Sequence, residues 1–148
     1  MAVRADFYMI AGKAQFVEQP LLLVCQLAAK ALAANQPCLI FCDSAEQADF
    51  LDDLLWEFDG DAFIPHQVVG ADEEDVDEYE EITPVLLVPP GVEIPMRSLV
   101  INLRTELPPP GYERVLEIVP ADESAREPGR KRWLEYKKLG FEVSKHDL

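Results

Sequence analysis

The stretch CLIFCDSAEQADFLDDLLWEF, residues 38–58, decides the fold. Its first five residues are apolar without interruption, at strand length. That is how a strand reads when helices cover both faces of a parallel sheet. The rest has a helical period: Ala48, Leu51, Leu54 and Leu55 recur three and four residues apart and form one apolar face. Asp43 and Ser44 lie between the two halves, where a short oxygen-bearing side chain caps a helix start. A buried strand running directly into an amphipathic helix is the repeating unit of an α/β fold.

The same pattern extends in both directions. Upstream, ADFYMI (5–10) reads as a short strand, and EQPLLLVCQLAAKALAANQP (18–37) as a helix. Pro20 suits a first helical turn. Val24, Leu27, Ala28, Ala31 and Leu32 give this helix one apolar face. Downstream, FIPHQVVG (63–70) is extended, and PVLLV (84–88), SLVINL (98–103) and ERVLEIV (113–119) are further strands. DESAREPGRKRWLEYKKLGF (122–141) reads as the terminal helix, closed by Gly140. Alternating strands and helices imply right-handed crossovers. The expectation is one α/β domain over residues 1–148, a single open, mostly parallel sheet flanked by helices.

Composition narrows the function. The chain has 28 Asp and Glu against 13 Lys and Arg, a net charge of −15. Its whole surface should repel nucleic acid and anionic membranes, so DNA contact is expected to be indirect or weak. Residues 71–81, ADEEDVDEYEE, hold eight acids and no base, and an acidic, solvated loop is expected at about 71–82. No apolar run is long enough to span a bilayer, and the first residues lack the apolar core of a signal peptide. Cys25, Cys38 and Cys42 are odd in number and lie in apolar segments, as expected of reduced core residues in a cytoplasmic protein.

A small α/β chain invites a nucleotide-binding reading, but neither GxxxxGK[ST] nor GxGxxG is present. No phosphate loop and no cofactor are expected, and no catalytic residue stands out. His66 has no catalytic partner that the sequence can name, and it reads as structural or interfacial. A binding module fits better than an enzyme; a degenerate nucleotide-binding enzyme domain is the alternative.

One region runs against the overall charge. Six of the 13 Lys and Arg lie within residues 126–138, together with only two acids. On a helix, Arg130, Trp133 and Lys137 fall on one side, with Leu134 beside them and Tyr136 and Leu139 turned toward the sheet. Lysines near a helix C-terminus favour the helix dipole, which accounts for Lys137 and Lys138 but not for Trp133 among cations. A peptide site is the other reading, in which cations receive carboxylates and an apolar slot receives an anchor residue; charge and spacing alone do not choose between this and a solvated helix face. Pro128 is easiest to place in the first helical turn, with Arg126 before the regular helix.

The blocks DFYMI, LIFCDSAEQADFLDDLLWEFDGDAFIPH, PVLL, LVINLR, VLEIVP and RKRWLEYKKLGFE run nearly end to end. In order and spacing they resemble the chi subunit of bacterial DNA polymerase III, a clamp-loader accessory protein. The acidic insert around 71–95 is longer and more negative than the family pattern. The resemblance implies a nucleotide-binding-like fold that binds no nucleotide. It also implies a non-catalytic adaptor that takes the acidic C-terminal tail of single-stranded DNA-binding protein. On this resemblance Arg130 grips the tail's terminal carboxylate, Arg126 is a second cation, Trp133 is the aromatic and Val119 lines the apolar slot. Leu134 stands where relatives can carry lysine, and Lys137 completes the strip. A second surface, carried over to Trp56, Phe58, Phe63 and Pro65, would dock on the psi subunit or an equivalent. The family also suggests an accessory DNA helicase as a possible partner there.

Overall fold

Seven parallel strands form one sheet in the computed structural model, which describes residues 3–58, 64–69 and 83–147. In chain order the elements are β1 (Arg4–Met9), α1 (Ala14–Glu18), α2 (Leu21–Ala33), β2 (Cys38–Phe41) and α3 (Ala45–Glu57). Then come β3 (His66–Val68), β4 (Val85–Val88), β5 (Leu99–Asn102), β6 (Arg114–Val119), α4 (Glu127–Lys138) and β7 (Glu142–Asp147). The strand order is β3-β4-β2-β5-β6-β1-β7. The expected open α/β sheet is therefore present, and every pairing among the described strands is parallel. The expected acidic loop at 71–82 lies outside the described residues.

The unit read first forms as its sequence dictates. All four residues of β2 are buried. Ser44 caps α3: the Gln47 N–H donates to Ser44 Oγ (3.0 Å), and the Asp43 N–H donates to Gln47 Oε1 (2.8 Å). Ala48, Leu51 and Leu55 face inward, and Leu51 is fully buried. Truncating Leu51 to alanine should cost about 2–5 kcal/mol, because the cavity left behind collapses only partly.

Alternation along the strands divides the core in two. Cys38, Ile40, Leu87 and Ile101 pack with α2 and α3 on one face. Leu39, Phe41, Leu86 and Val100 pack on the other, with Tyr136 of α4 and residues such as Ile94 and Met96 of the connecting segments. All three cysteines are free and buried, and burial pushes each thiol up to about 12, so they are inert core groups. At the carboxyl ends of β2 and β4, where open α/β sheets receive ligands, a guanidinium occupies the site. Arg104 donates to the carbonyls of Cys42 (2.8 Å) and Val88 (2.9 Å) and lies over the Phe41 ring.

Two features depart from the sequence reading. Between the expected strand (5–10) and the expected helix (18–37) there is a further element: residues 14–18 form the short helix α1, with Phe16 buried. Residues 142–147, beyond the expected terminal helix and not expected to form an element, make up β7 and extend the sheet beyond β1. Gly140 (φ 85°) makes that turn possible. The Gly140 N–H donates to Lys137 O (3.0 Å) and the Phe141 N–H to Tyr136 O (3.1 Å), the paired bonds of a glycine-terminated helix. The same turn corrects Leu139: it caps the helix instead of continuing it, and it is exposed rather than packed on the sheet.

Candidate functional site

Helix α4 is fixed on the sheet from its inner side. Glu117 of β6 is fully buried and accepts hydrogen bonds from Arg132 Nε (2.9 Å), the Tyr136 hydroxyl (2.6 Å) and Asn102 Nδ2 (2.8 Å). Burial raises the Glu117 pKa, and the Arg132 charge and the three hydrogen bonds oppose that rise only in part. Arg132 and Tyr136, four residues apart, thus belong to the structural side of the helix. Arg132 was counted in the basic run, yet its charge is spent inside the protein. The helix starts as Pro128 requires. Arg126 holds the N-cap position, Pro128 lies in the first turn, and a separate turn at Glu123–Ala125 is capped by Asp122.

With Arg132 and Tyr136 turned inward, the next stripe of α4 overhangs the β6-β1-β7 edge of the sheet. There it encloses a cavity of about 410 Å³, lined by Phe7, Met9, Val119, Arg126, Gly129, Arg130, Trp133, Leu134 and Lys145. Five of the six residues expected to bind a peptide are in that lining: Val119, Arg126, Arg130, Trp133 and Leu134. Lys137 is not, but its Nζ lies 5.5 Å from the Trp133 ring centre, a cation–π distance. Trp133 in turn packs on Phe7, with ring centres 4.9 Å apart.

The cations of the cavity differ in freedom. Arg126 donates through Nε to Pro120 O (3.0 Å) and through Nη2 to Ala121 O (3.2 Å), which fixes its guanidinium at the cavity rim. Arg130 is 64% exposed, and its Nη1 lies 3.9 Å from the equally exposed Glu127 carboxylate, a weak ion pair. No carboxylate is among the described lining residues. An apolar floor beneath cations, without an acid, suits an anion that carries an apolar group.

Phe7, Met9, Gly129 and Lys145 were not named from the sequence. Phe7 and Met9 sit at alternate positions of β1, so a strand reading with faces assigned would have paired them. Val143 and Lys145 alternate in the same way along β7.

The second expected surface lies at the α3–β3 corner. Trp56 is exposed, and its ring meets that of His66 edge-on at 5.1 Å. Phe58 is half-buried against the α2–α3 core, Pro65 is half-buried, and Phe63 lies outside the described residues. His66 is oriented from both ring nitrogens: Nδ1 lies 2.6 Å from Ile64 O, and Nε2 lies 3.0 Å from Asp52 Oδ1. The Asp52 contact ties β3 to α3 and the Ile64 contact fixes the ring locally, which fits the structural reading of His66.

Comparison with known proteins gives the same family along nearly the whole chain. The family model described as DNA polymerase III chi subunit, HolC, matches residues 2–144. The chain is 34% identical to DNA polymerase III subunit chi of Pseudomonas aeruginosa, over 98% of this chain and 96% of that protein. It is 27% identical to the subunit of the same name in Haemophilus influenzae, over 100% of this chain and 99% of that one. Among solved structures, the C-terminal domain of the DEAD-box protein Dbp5 matches with a TM-score of 0.65 at 15% identity, over 99% of this chain and 91% of that domain. T4 UvsW matches with a TM-score of 0.65 at 8% identity, over 99% of this chain and 41% of that protein. At these identities the structural likeness is one of fold. Among the described residues, no helix is long and apolar enough to cross a membrane.

Proposed function

The chain belongs to the DNA polymerase III chi subunit family, and from that premise we propose that it is a non-catalytic adaptor of the replicative polymerase, binding the acidic C-terminal tail of single-stranded DNA-binding protein. The observation that supports this is the cavity under α4, where Arg126 and Arg130 stand at the rim and Phe7, Met9, Val119 and Trp133 form the floor. Arg130 takes the tail's terminal carboxylate, because its exposed guanidinium has only a weak partner to release. The side chain of the final aromatic residue enters the apolar part, beside Trp133. The overall charge of −15 then favours this one patch by contrast, since the rest of the surface repels an acidic peptide. In the same reading the α3–β3 corner around Trp56, Phe58, Phe63 and Pro65 docks on psi or its equivalent, and the protein works in the cytoplasm.

Trp133 is a built-in reporter. The chain has two tryptophans, so a Trp56→Phe variant leaves Trp133 as the single indole. Titration of that variant with a tail peptide should shift its emission in a saturable way, and the shift should weaken with added salt. An emission unchanged at saturating peptide would remove the cavity from the reading.

A further inference from the structure

Building on that reading of the cavity, we propose that β7 supplies a second mobile cation to the same site, Lys145, and that Asp147 competes with the acidic peptide for it. In the parallel register Lys145 lies beside Phe7, and residues so paired point to the same face of a sheet. Phe7 packs against Trp133, so that face is the one α4 covers, and Lys145 accordingly lines the cavity. The site therefore has a cation on each wall, Arg130 from the helix and Lys145 from the edge strand.

The other lining positions do not substitute for it. Arg126 is held by two backbone carbonyls, and Leu134 brings no charge. A peptide that places its terminal carboxylate at Arg130 still has preceding acidic side chains to neutralise, and Lys145 is the mobile charge left to meet them. Its present partner is a weak one. Lys145 Nζ lies 3.7 Å from Asp147 Oδ1, with both side chains more than half exposed, at 54% and 76%. An exposed pair of this kind exchanges readily for another carboxylate. Asp147 thus acts as an internal stand-in for the peptide's acids. The strand beneath is secured from the opposite face, where His146 donates through Nε2 to the buried Asp6 (2.9 Å) and stacks on Tyr8.

The test is calorimetric titration of the full chain with a peptide of aspartates, an aliphatic pair and a C-terminal phenylalanine. Lys145→Met should weaken binding about 2- to 5-fold, the size of one exposed ion pair, and should flatten the salt dependence. Lys145→Arg should bind as the unmodified protein does. Asp147→Asn should tighten binding by about 2-fold. Arg130→Ala is run alongside. If Arg130→Ala loses affinity and Lys145→Met does not, the role of β7 is overturned while the cavity stands. If neither loses affinity, the cavity reading itself fails. Should Lys145→Met not fold, amide spectra of the unmodified protein decide: the Lys145 and Asp147 signals move on peptide addition, and if both stay in place the proposal is overturned.

Discussion

Arg130 and Arg132 are two residues apart on one helix, and the fold uses them in opposite ways. Arg132 is 8% exposed and donates to a carboxylate that has no contact with water. Arg130 projects over an apolar cavity, 64% exposed, with only a surface glutamate nearby. A helix turns about 100° per residue, so two positions are enough to carry a side chain from the core to the rim. A count of positive charge therefore says little about binding until the inward side of the helix is known. The buried arginine builds the site, and the exposed one is available to a ligand.

The contrast can be broken most forcefully at Arg132. Arg132→Ala leaves Glu117 buried without its ion-pair partner, which should cost about 3–5 kcal/mol of stability. Arg130→Ala should leave stability within about 0.5 kcal/mol, as exposed substitutions do. Urea unfolding of the two variants checks both values, and equal losses would erase the distinction.

The sheet edge beside the cavity gives a smaller, pH-dependent effect. Burial pushes the Asp6 pKa up, but hydrogen bonds from His146 and Arg114 and the charges of Arg114 and Arg4 outweigh it, so the carboxyl titrates below its ordinary value. A lowered folded-state pKa means that Asp6 stabilises the protein fully above its unfolded pKa of about 3.9, and that this contribution is lost as pH falls through the folded value. Asp6→Asn should therefore lower the urea midpoint at pH 7 and narrow its gap to the unmodified protein below about pH 4. A gap that is constant over the acid range would mean that the Asp6 contacts do not hold β7.

The smallest effect is expected at the rim. Glu127→Gln removes the carboxylate 3.9 Å from Arg130, and should tighten an acidic peptide by no more than about 2-fold. A calorimetric comparison resolves that change, and weaker binding would mean that Glu127 positions Arg130 instead of competing for it.

The fold was legible where one residue type repeats at one period. The apolar run at 38–42 and the helical spacing of Leu51, Leu54 and Leu55 were sufficient for a parallel sheet with helices on both faces. The stripe carrying Arg130 and Trp133 was legible too, because helical geometry alone places them together; Arg126, expected before the regular helix, joined them only through the family resemblance. What escaped notice depends on contacts distant in sequence. β7 is polar at five of its six positions and gains its identity from pairing with β1, more than 130 residues earlier. Lys145 enters the cavity only through that pairing. Arg132 looked like its neighbours until Glu117, 15 residues before it, appeared beneath it. Leu139 followed the helical period, but the glycine turn after it ended the helix first.

The central claim is that the cavity under α4 reads an acidic peptide by its aromatic terminus. Its most direct test is a calorimetric titration of the unmodified protein and Arg130→Ala with two acidic peptides, one ending in phenylalanine and one lacking that residue. The account predicts tight binding only for the unmodified protein with the complete peptide. Removing either the phenylalanine or the Arg130 side chain should weaken binding by about 2–5 kcal/mol, because a half-buried carboxylate or an apolar slot is left without its partner. Equal affinity for the two peptides, undiminished in Arg130→Ala, would contradict it and leave only diffuse charge attraction.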